Sequence, residues 1–281
     1  MTGIYWLASY PKSGNTWLRL LLQSYLAGGA AVDINAIVLG SHRTHERGQF
    51  DEAIGIAAAD LTEAEILAWR PAAIRAWMAT QPEPVYLKTH ELRSPLIGRE
   101  SLFPADLSLA AIYLVRDPRD VALSLARHLK ISIDEAIAVM GTPDHRMARS
   151  RQGLRPCLFD HWGSWSQNVE DWCAPQPFVA HLVRYESLRA DPTSALAGIV
   201  TALALPHDPQ AVQRAVAATS IETLRAQEAE RGFTEWRDGR GFFGEGRVAA
   251  WRDRLTPGQI ARIETDHGAA MRRLGYRAVT A

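Results

Sequence analysis

Three stretches of the 281-residue chain gather residue types that handle anions and protons. In YPKSGNTW, residues 10–17, a Lys/Ser/Gly/Thr turn joins the apolar run IYWLAS to LRLLLQSYLA. A strand-to-helix turn presents backbone N–H groups at a helix N-terminus, where the dipole favours negative charge. Gly14 allows close backbone approach, Ser13 and Thr16 offer hydroxyl donors, and Lys12 adds a mobile cation. This is chemistry for a phosphate or a sulfate-like group. The lysine precedes the glycine, so the Gly-Lys-Ser/Thr order of nucleotide P-loops is missing. A plain turn with an exposed lysine is the competing reading.

In YLVRDPRDVALS, residues 113–124, a strand pattern ends at Arg116 and Pro118 suits the first turn of a helix. Ser124 falls about two turns into that helix. An arginine and a hydroxyl together can hold a second phosphate. The alternative is a surface pair of Arg116 with Asp117 or Asp120, worth little. In VYLKTHE, residues 85–91, Lys88 and His90 share one side while the chain stays extended. A histidine titrating near neutrality is a suitable general base for a hydroxyl; a histidine that merely caps a strand fits the same residues.

Such groups need a scaffold that brings strand ends together. Short, nearly continuous apolar runs at residues 4–9, 85–89, 111–115 and 178–185 predict strands of a mostly parallel sheet covered on both faces. Helical patterns separate them. Residues 16–27 are apolar almost all round, which predicts a buried helix, and residues 117–130 space Val121, Leu125 and Leu129 four apart. Thr62 with Glu65, and Thr256 with Gln259 behind Pro257, have capping-box spacing. Alternating strands and helices predict a doubly wound α/β fold, and the length suits a single domain over residues 1–281. Residues 40–56, 141–160 and 228–247 read as long loops, either lids and acceptor walls or solvated surface.

Composition narrows the partners. Lys+Arg and Asp+Glu are both 31, so the net charge is zero and no global basic field argues for nucleic acid or an anionic membrane. Two cysteines, Cys157 and Cys173, do not make a disulfide framework, and no metal-binding Cys/His spacing occurs. No basic segment with a long apolar run opens the chain. The expectation is a cytoplasmic protein with no membrane span and no metal. Oligomeric state, monomer or homodimer, is open.

Taken in order, YPKSGNTW, KTH and YLVRDPRDVALS resemble the sulfotransferases that use 3′-phosphoadenosine 5′-phosphosulfate (PAPS). HWGSWSQNVEDW (161–172) is similar to that family's Gly-Ser-Trp region, and VRYESLRADP (183–192) to its Tyr-Glu-x-Leu strand end. ATSIETLR (218–225) resembles its Thr-Ser-Phe segment. GFFGEGRVAAWRDRLTPGQ (241–259) resembles its last phosphate loop and tail. The resemblance runs from residue 4 to about 265.

The resemblance implies roles. Lys12, Ser13, Gly14, Asn15, Thr16 and Trp17 would form the 5′-phosphosulfate loop, with the Asn15 amide donating where many relatives have threonine. Arg116 and Ser124 would grip the 3′-phosphate. Tyr185 and Thr219 would sit near the adenosine, with Trp17 and Ile221 as adenine walls. His90 would take the acceptor's proton, Lys12 would stabilise the leaving phosphate of the product 3′,5′-ADP, and Lys88 would meet the sulfuryl oxygens. The final loop departs from the pattern: Gly244-Glu245-Gly246 stands where Arg-Lys-Gly or Arg-Arg-Gly is usual. Two cations are missing, and Gly246 and Arg247 are left to serve the cofactor. The acceptor would be a small hydroxyl compound, polar or aromatic. A P-loop kinase and a PAPS-binding relative without activity are the other classes the residues allow.

Overall fold

The computed structural model describes residues 2–41, 46–93, 100–147, 157–175, 177–236, 241–244 and 246–280. In chain order, β1 (Ile4–Ser9) leads to α1 (Asn15–Leu26), α2 (Arg47–Ile54) and α3 (Glu63–Met78). Next come β2 (Val85–Thr89), β3 (Ser108–Val115), α4 (Pro118–Leu129) and α5 (Ile133–Gly141). Two short strands, β4 (Arg146–Met147) and β5 (Asp160–His161), precede α6 (Trp165–Cys173). Then β6 (Val179–Arg184) runs straight into α7 (Tyr185–Ala190) and α8 (Pro192–Ala202). The described chain continues with α9 (Pro209–Ala218), α10 (Ile221–Arg231), α11 (Trp251–Arg254) and α12 (Pro257–Arg273).

The central sheet is parallel, in the order β2-β1-β3-β6. Alternate side chains on each strand serve opposite faces. Trp6 and Ala8 of β1, with Ala111, Tyr113 and Val115 of β3, pack on α4, α5, α6 and α12. Leu7, with Ala110, Ile112 and Leu114, packs on α1, α8 and α9. Helices therefore cover both faces, and the strands read as continuous apolar runs for that reason. The prediction of a doubly wound α/β fold holds.

The chain leaves β1 toward β2 on one side and later returns to β3 on the other. This creates a switch point between β1 and β3, the place where open α/β sheets bind ligands. The register levels the strand ends. Ala8 pairs with both Thr89 and Tyr113, and Val115 pairs with Arg184. The residues just past β1, β2, β3 and β6 therefore emerge along one edge: the 10–14 turn, His90, Arg116 and Tyr185.

Details differ from the sequence pattern for identifiable reasons. β3 starts at Ser108, earlier than residue 111, because Ser108 pairs with Ile4 and its hydroxyl accepts the Trp6 indole N–H at 2.8 Å. β6 stops at Arg184, and Tyr185 opens a helix. Both predicted capping boxes form, at Thr62–Glu65 and Thr256–Gln259. α3 continues through Pro71 because Ile74 and Met78 beyond it bury against the sheet, which outweighs one lost helical hydrogen bond. Among the described residues, no helix is long and apolar enough to cross a membrane.

Candidate active site

A cleft of about 1170 Å³ opens at the carboxyl edge of the sheet. That is slightly above the usual range for a small-ligand pocket, about 300–1,000 Å³. Lys12, Lys88, His90, Arg116, Ser124 and Tyr185 all line it.

The 10–14 turn is shaped by two left-handed residues, Lys12 (φ 68°) and Gly14 (φ 103°). A β-carbon on Gly14 would lie 2.7 Å from the Tyr185 ring, so glycine is required twice over, by backbone and by packing. Lys12 tolerates the same region at a cost, as residues at functional sites often do. At the N-terminus of α1 the Trp17 N–H turns back to the Gly14 carbonyl at 3.0 Å, and the N–H groups of Asn15 and Thr16 precede the first intrahelical bond. Thr16 and Trp17 line the cleft. Ser13 is fully buried, its hydroxyl without a hydrogen-bond partner among the described residues.

Two expected cofactor contacts turn out to do other work. The Asn15 amide nitrogen donates to the Leu7 carbonyl (2.9 Å) and the Ser9 hydroxyl (3.2 Å), so its side chain secures the end of β1, while the residue also lines the cleft. Thr219 is fully buried and does not line the cleft. Its hydroxyl donates to the Ala215 carbonyl (2.7 Å) and its carbonyl accepts the Trp17 indole N–H (2.9 Å). Thr219 thus fixes the orientation of Trp17, and Ile221 supplies the neighbouring apolar wall.

Arg116 is not a surface ion pair. Asp117 is taken up by Arg119, and Asp120 accepts the backbone N–H groups of Ala249 (2.8 Å) and Trp251 (3.0 Å). The Arg116 guanidinium lies 4.4 Å from the Tyr185 ring centre and reaches the carbonyls of Lys12 (3.4 Å) and Arg247 (3.3 Å). Its Nε has no hydrogen-bond partner among the described residues. Gly246 (φ 58°) is held from behind, its carbonyl accepting Tyr185 Oη at 3.3 Å and Arg189 Nε at 3.1 Å. Arg247 lines the cleft, but its half-exposed guanidinium pairs with Asp253. Both partners are about half-exposed, so this pair is weak and readily gives way to another anion. Glu245 lies outside the described residues.

His90 is held from three directions. Its Nδ1 lies 2.8 Å from the Ser9 carbonyl and 3.3 Å from the Ser9 hydroxyl. Buried Asn168 of α6 donates to the carbonyls of His90 and Trp162, both at 2.9 Å, and accepts Tyr113 Oη at 2.8 Å. The next residue, Glu91, is fully buried and paired with Arg70 at 2.7 and 2.5 Å. Beside Lys88, a β-carbon on Gly40 (φ 63°) would lie 3.0 Å from Lys88 Cβ, and the Gly40 N–H donates to the Tyr86 carbonyl at 3.0 Å.

Lys12 is a strongly perturbed cation of the cleft. Burial, then Lys88, Arg127 and Arg116, lower its pKa from 10.5 to about 7, and Glu235 opposes them only partly. Its ammonium lies 4.6 Å from the Phe242 ring centre and 5.7 Å from Trp236. His128 stacks on Trp236 at 5.4 Å, and burial with the nearby cations lowers its pKa to about 4. The segment carrying these aromatics is clamped at both ends. Glu235 pairs with Arg19 of α1, which is 1% exposed, and Glu228 accepts the N–H groups of Phe242 and Phe243.

Of the long stretches, 228–247 and 141–160 supply walls, among them Phe233, Trp236, Met147 and Leu158. Among the described residues of 40–56, none lines the cleft; residues 47–54 form α2, whose Phe50 buries against α3. His42, Arg43 and His45 lie outside the described residues, as do residues 148–156 and 237–240. Sequence reasoning missed Arg127, Arg225, Arg254 and the positioning role of Asn168. Arg127 had one available signal: it stands three residues after Ser124, on the same face of α4.

The β1–α1 turn, Arg116 and His90 line one cleft at the switch point of a doubly wound α/β fold. The chain belongs to the sulfotransferase family: the model of the Sulfotransferase domain matches residues 4–275. Sulfuryl transfer is the reaction that this membership supports. Cytosolic sulfotransferases 17 and 16 of Arabidopsis thaliana are 23% and 24% identical to it, over 92% of this chain and 72% and 73% of theirs. Among solved structures, retinol dehydratase in complex with androsterone and the inactive cofactor PAP has a TM-score of 0.60 at 19% identity, covering 95% of this chain and 80% of that one. A mouse sulfotransferase complexed with PAP has a TM-score of 0.61 at 18% identity, covering 96% and 84%.

Proposed function

We propose that this protein moves a sulfuryl group from PAPS to a hydroxyl of a small-molecule acceptor. The observation that carries the reading is the meeting of the Lys12–Trp17 turn, Arg116 and His90 on one cleft at the switch point of the sheet. The residues fit such a ligand. Among the described residues Arg116 Nε and the Ser13 hydroxyl have no hydrogen-bond partner, the turn carries a left-handed Gly14 at the start of α1, and Lys12 is a cation held in a site that disfavours its charge.

When bound, PAPS supplies the sulfuryl group together with a phosphate leaving group. The chain's own groups then do the rest. Lys12, Lys88 and the α1 N-terminus neutralise negative charge at the phosphosulfate end, and Arg116 and Ser124 hold the 3′-phosphate. Trp17, Tyr185 and Ile221 wall the nucleoside, and the backbone at Gly246 closes the loop beside it. The Ser9 carbonyl can only accept, so Nδ1 of His90 carries the ring proton and the Nε2 lone pair takes the proton of the acceptor hydroxyl. Aromatic walls exclude water, which strengthens each of these interactions. Met147, Leu158, Trp162 and Phe242 make much of the remaining wall apolar, which favours an acceptor with an aromatic or otherwise apolar body.

The test is transfer of labelled sulfate from PAPS to a panel of hydroxyl compounds, with Lys12→Ala as control. The expected result is sulfation that the variant loses. Magnesium-dependent ATP turnover with no sulfate transfer would overturn the reading.

A further inference from the structure

The Gly244–Gly246 segment lacks the two cations that the family resemblance leads one to expect, and Arg247 is engaged by Asp253. A different arginine stands at that place. Arg127, one turn beyond Ser124 on α4, is exposed on the cleft wall. Its Nη1, Nη2 and Cζ lie 3.2, 3.5 and 3.8 Å from where a β-carbon on Gly244 would be. It occupies the volume that a side chain at 244 would need. Its guanidinium donates to the Phe242 carbonyl at 3.3 Å, a neutral acceptor that leaves its charge unspent. It is also among the cations that act on Lys12, so it stands within electrostatic reach of the anion site.

We infer that Arg127 supplies, from helix α4, the positive charge for the 3′-phosphate that residues 244 and 245 do not supply from the loop. The glycine at 244 and the arginine at 127 are then one exchange: the cation moves from loop to helix, and the loop gives up its side chain to make room. The inference rests on the PAPS reading above and deepens it.

Calorimetric titration tests it with 3′,5′-ADP, which carries the 3′-phosphate, and 5′-AMP, which does not. Arg127→Ala should weaken 3′,5′-ADP binding by about 10-fold to 100-fold, as for a lost charged hydrogen bond, and leave 5′-AMP binding within about twofold. Gly244→Arg placed in the Arg127→Ala background should recover most of the loss, because the clash at 244 is with Arg127 itself. Unchanged 3′,5′-ADP binding in Arg127→Ala overturns the inference, as does an equal loss for both ligands or a failure of Gly244→Arg to recover any of it. A wild-type protein that does not bind 3′,5′-ADP overturns the PAPS reading itself, and with it this inference.

Discussion

The Nδ1 atom of His90 lies 2.8 Å from the backbone carbonyl of Ser9, and that contact favours the ring tautomer with its proton on Nδ1. A carbonyl has no proton to give, so Nδ1 donates and Nε2 keeps its lone pair. The same strand end also starts the turn that carries Lys12. His90 and the Lys12 turn are thus tied to each other through one residue, Ser9. His90→Ala should lower kcat by about 10²–10⁴-fold, the usual effect of losing a general base, and leave 3′,5′-ADP affinity within about threefold. Steady-state kinetics and calorimetry on one preparation check this; near-normal turnover would remove His90 from the role.

Lys12 predicts a pH dependence. Its pKa is near 7 in the unliganded protein, and an anion at the cradle favours its charged form. Binding of 3′,5′-ADP should take up a proton above pH 7, and affinity should fall by at most about tenfold per pH unit as the pH rises further. Calorimetry in buffers of different ionisation enthalpy reads the proton directly, and Lys12→Met should abolish the uptake. Identical heats in all buffers would show that Lys12 is already charged.

The same residue bears on stability. Its folded pKa is below its ordinary value of 10.5, so between about pH 7 and 10.5 the unfolded chain binds more protons. The unliganded protein's unfolding free energy should therefore gain from this group as pH rises through that window; the penalty is fullest below pH 7. Lys12→Met should raise the Tm at pH 6 by a few degrees, roughly the effect of 1 kcal/mol. A lower Tm, or an unchanged pH slope, would contradict the buried-cation argument.

Gly14 should not accept a side chain. Gly14→Ala places a β-carbon 2.7 Å from the Tyr185 ring on a backbone at φ 103°. The cost should be about 1–3 kcal/mol in urea unfolding, with loss of 3′,5′-ADP binding as the turn shifts. A variant within about 0.5 kcal/mol of wild type would mean that the turn is not held as described.

Arg70 and Glu91 form a buried pair beside the base, both fully shielded. Removing one partner strands the other charge. Arg70→Met should cost about 3–5 kcal/mol in urea unfolding, and adding Glu91→Leu should return part of it. Additive losses in the double variant would argue that the pair is not coupled.

Much of this was readable in the residues. Strands at 4–9 and 85–89 showed as unbroken apolar runs because helices cover both faces of the sheet. The capping boxes at Thr62 and Thr256 were readable because their partners lie within one turn. Arg116 was readable as a strand-end cation, but not that Asp117 and Asp120 are engaged elsewhere, since Asp120's partners lie 129 and 131 residues away. Thr219 looked like a ligand residue. Its contact with Trp17 spans 202 residues and gives it another task.

The sequence by itself determined the parts and their order: a Lys-Ser-Gly turn after the first strand, a Lys-x-His strand end, an arginine and a serine after the third run. Those signals reside in neighbours along the chain, where local sterics and periodicity act. Only the tertiary structure decided that Nδ1 of His90 meets the Ser9 carbonyl, that the charge on Lys12 is disfavoured, that Arg247 pairs with Asp253, and that Arg127 stands beside Gly244. Each depends on desolvation or on a partner brought from a distant segment, and electrostatic energies in a closed cleft respond to that three-dimensional surrounding, not to sequence distance.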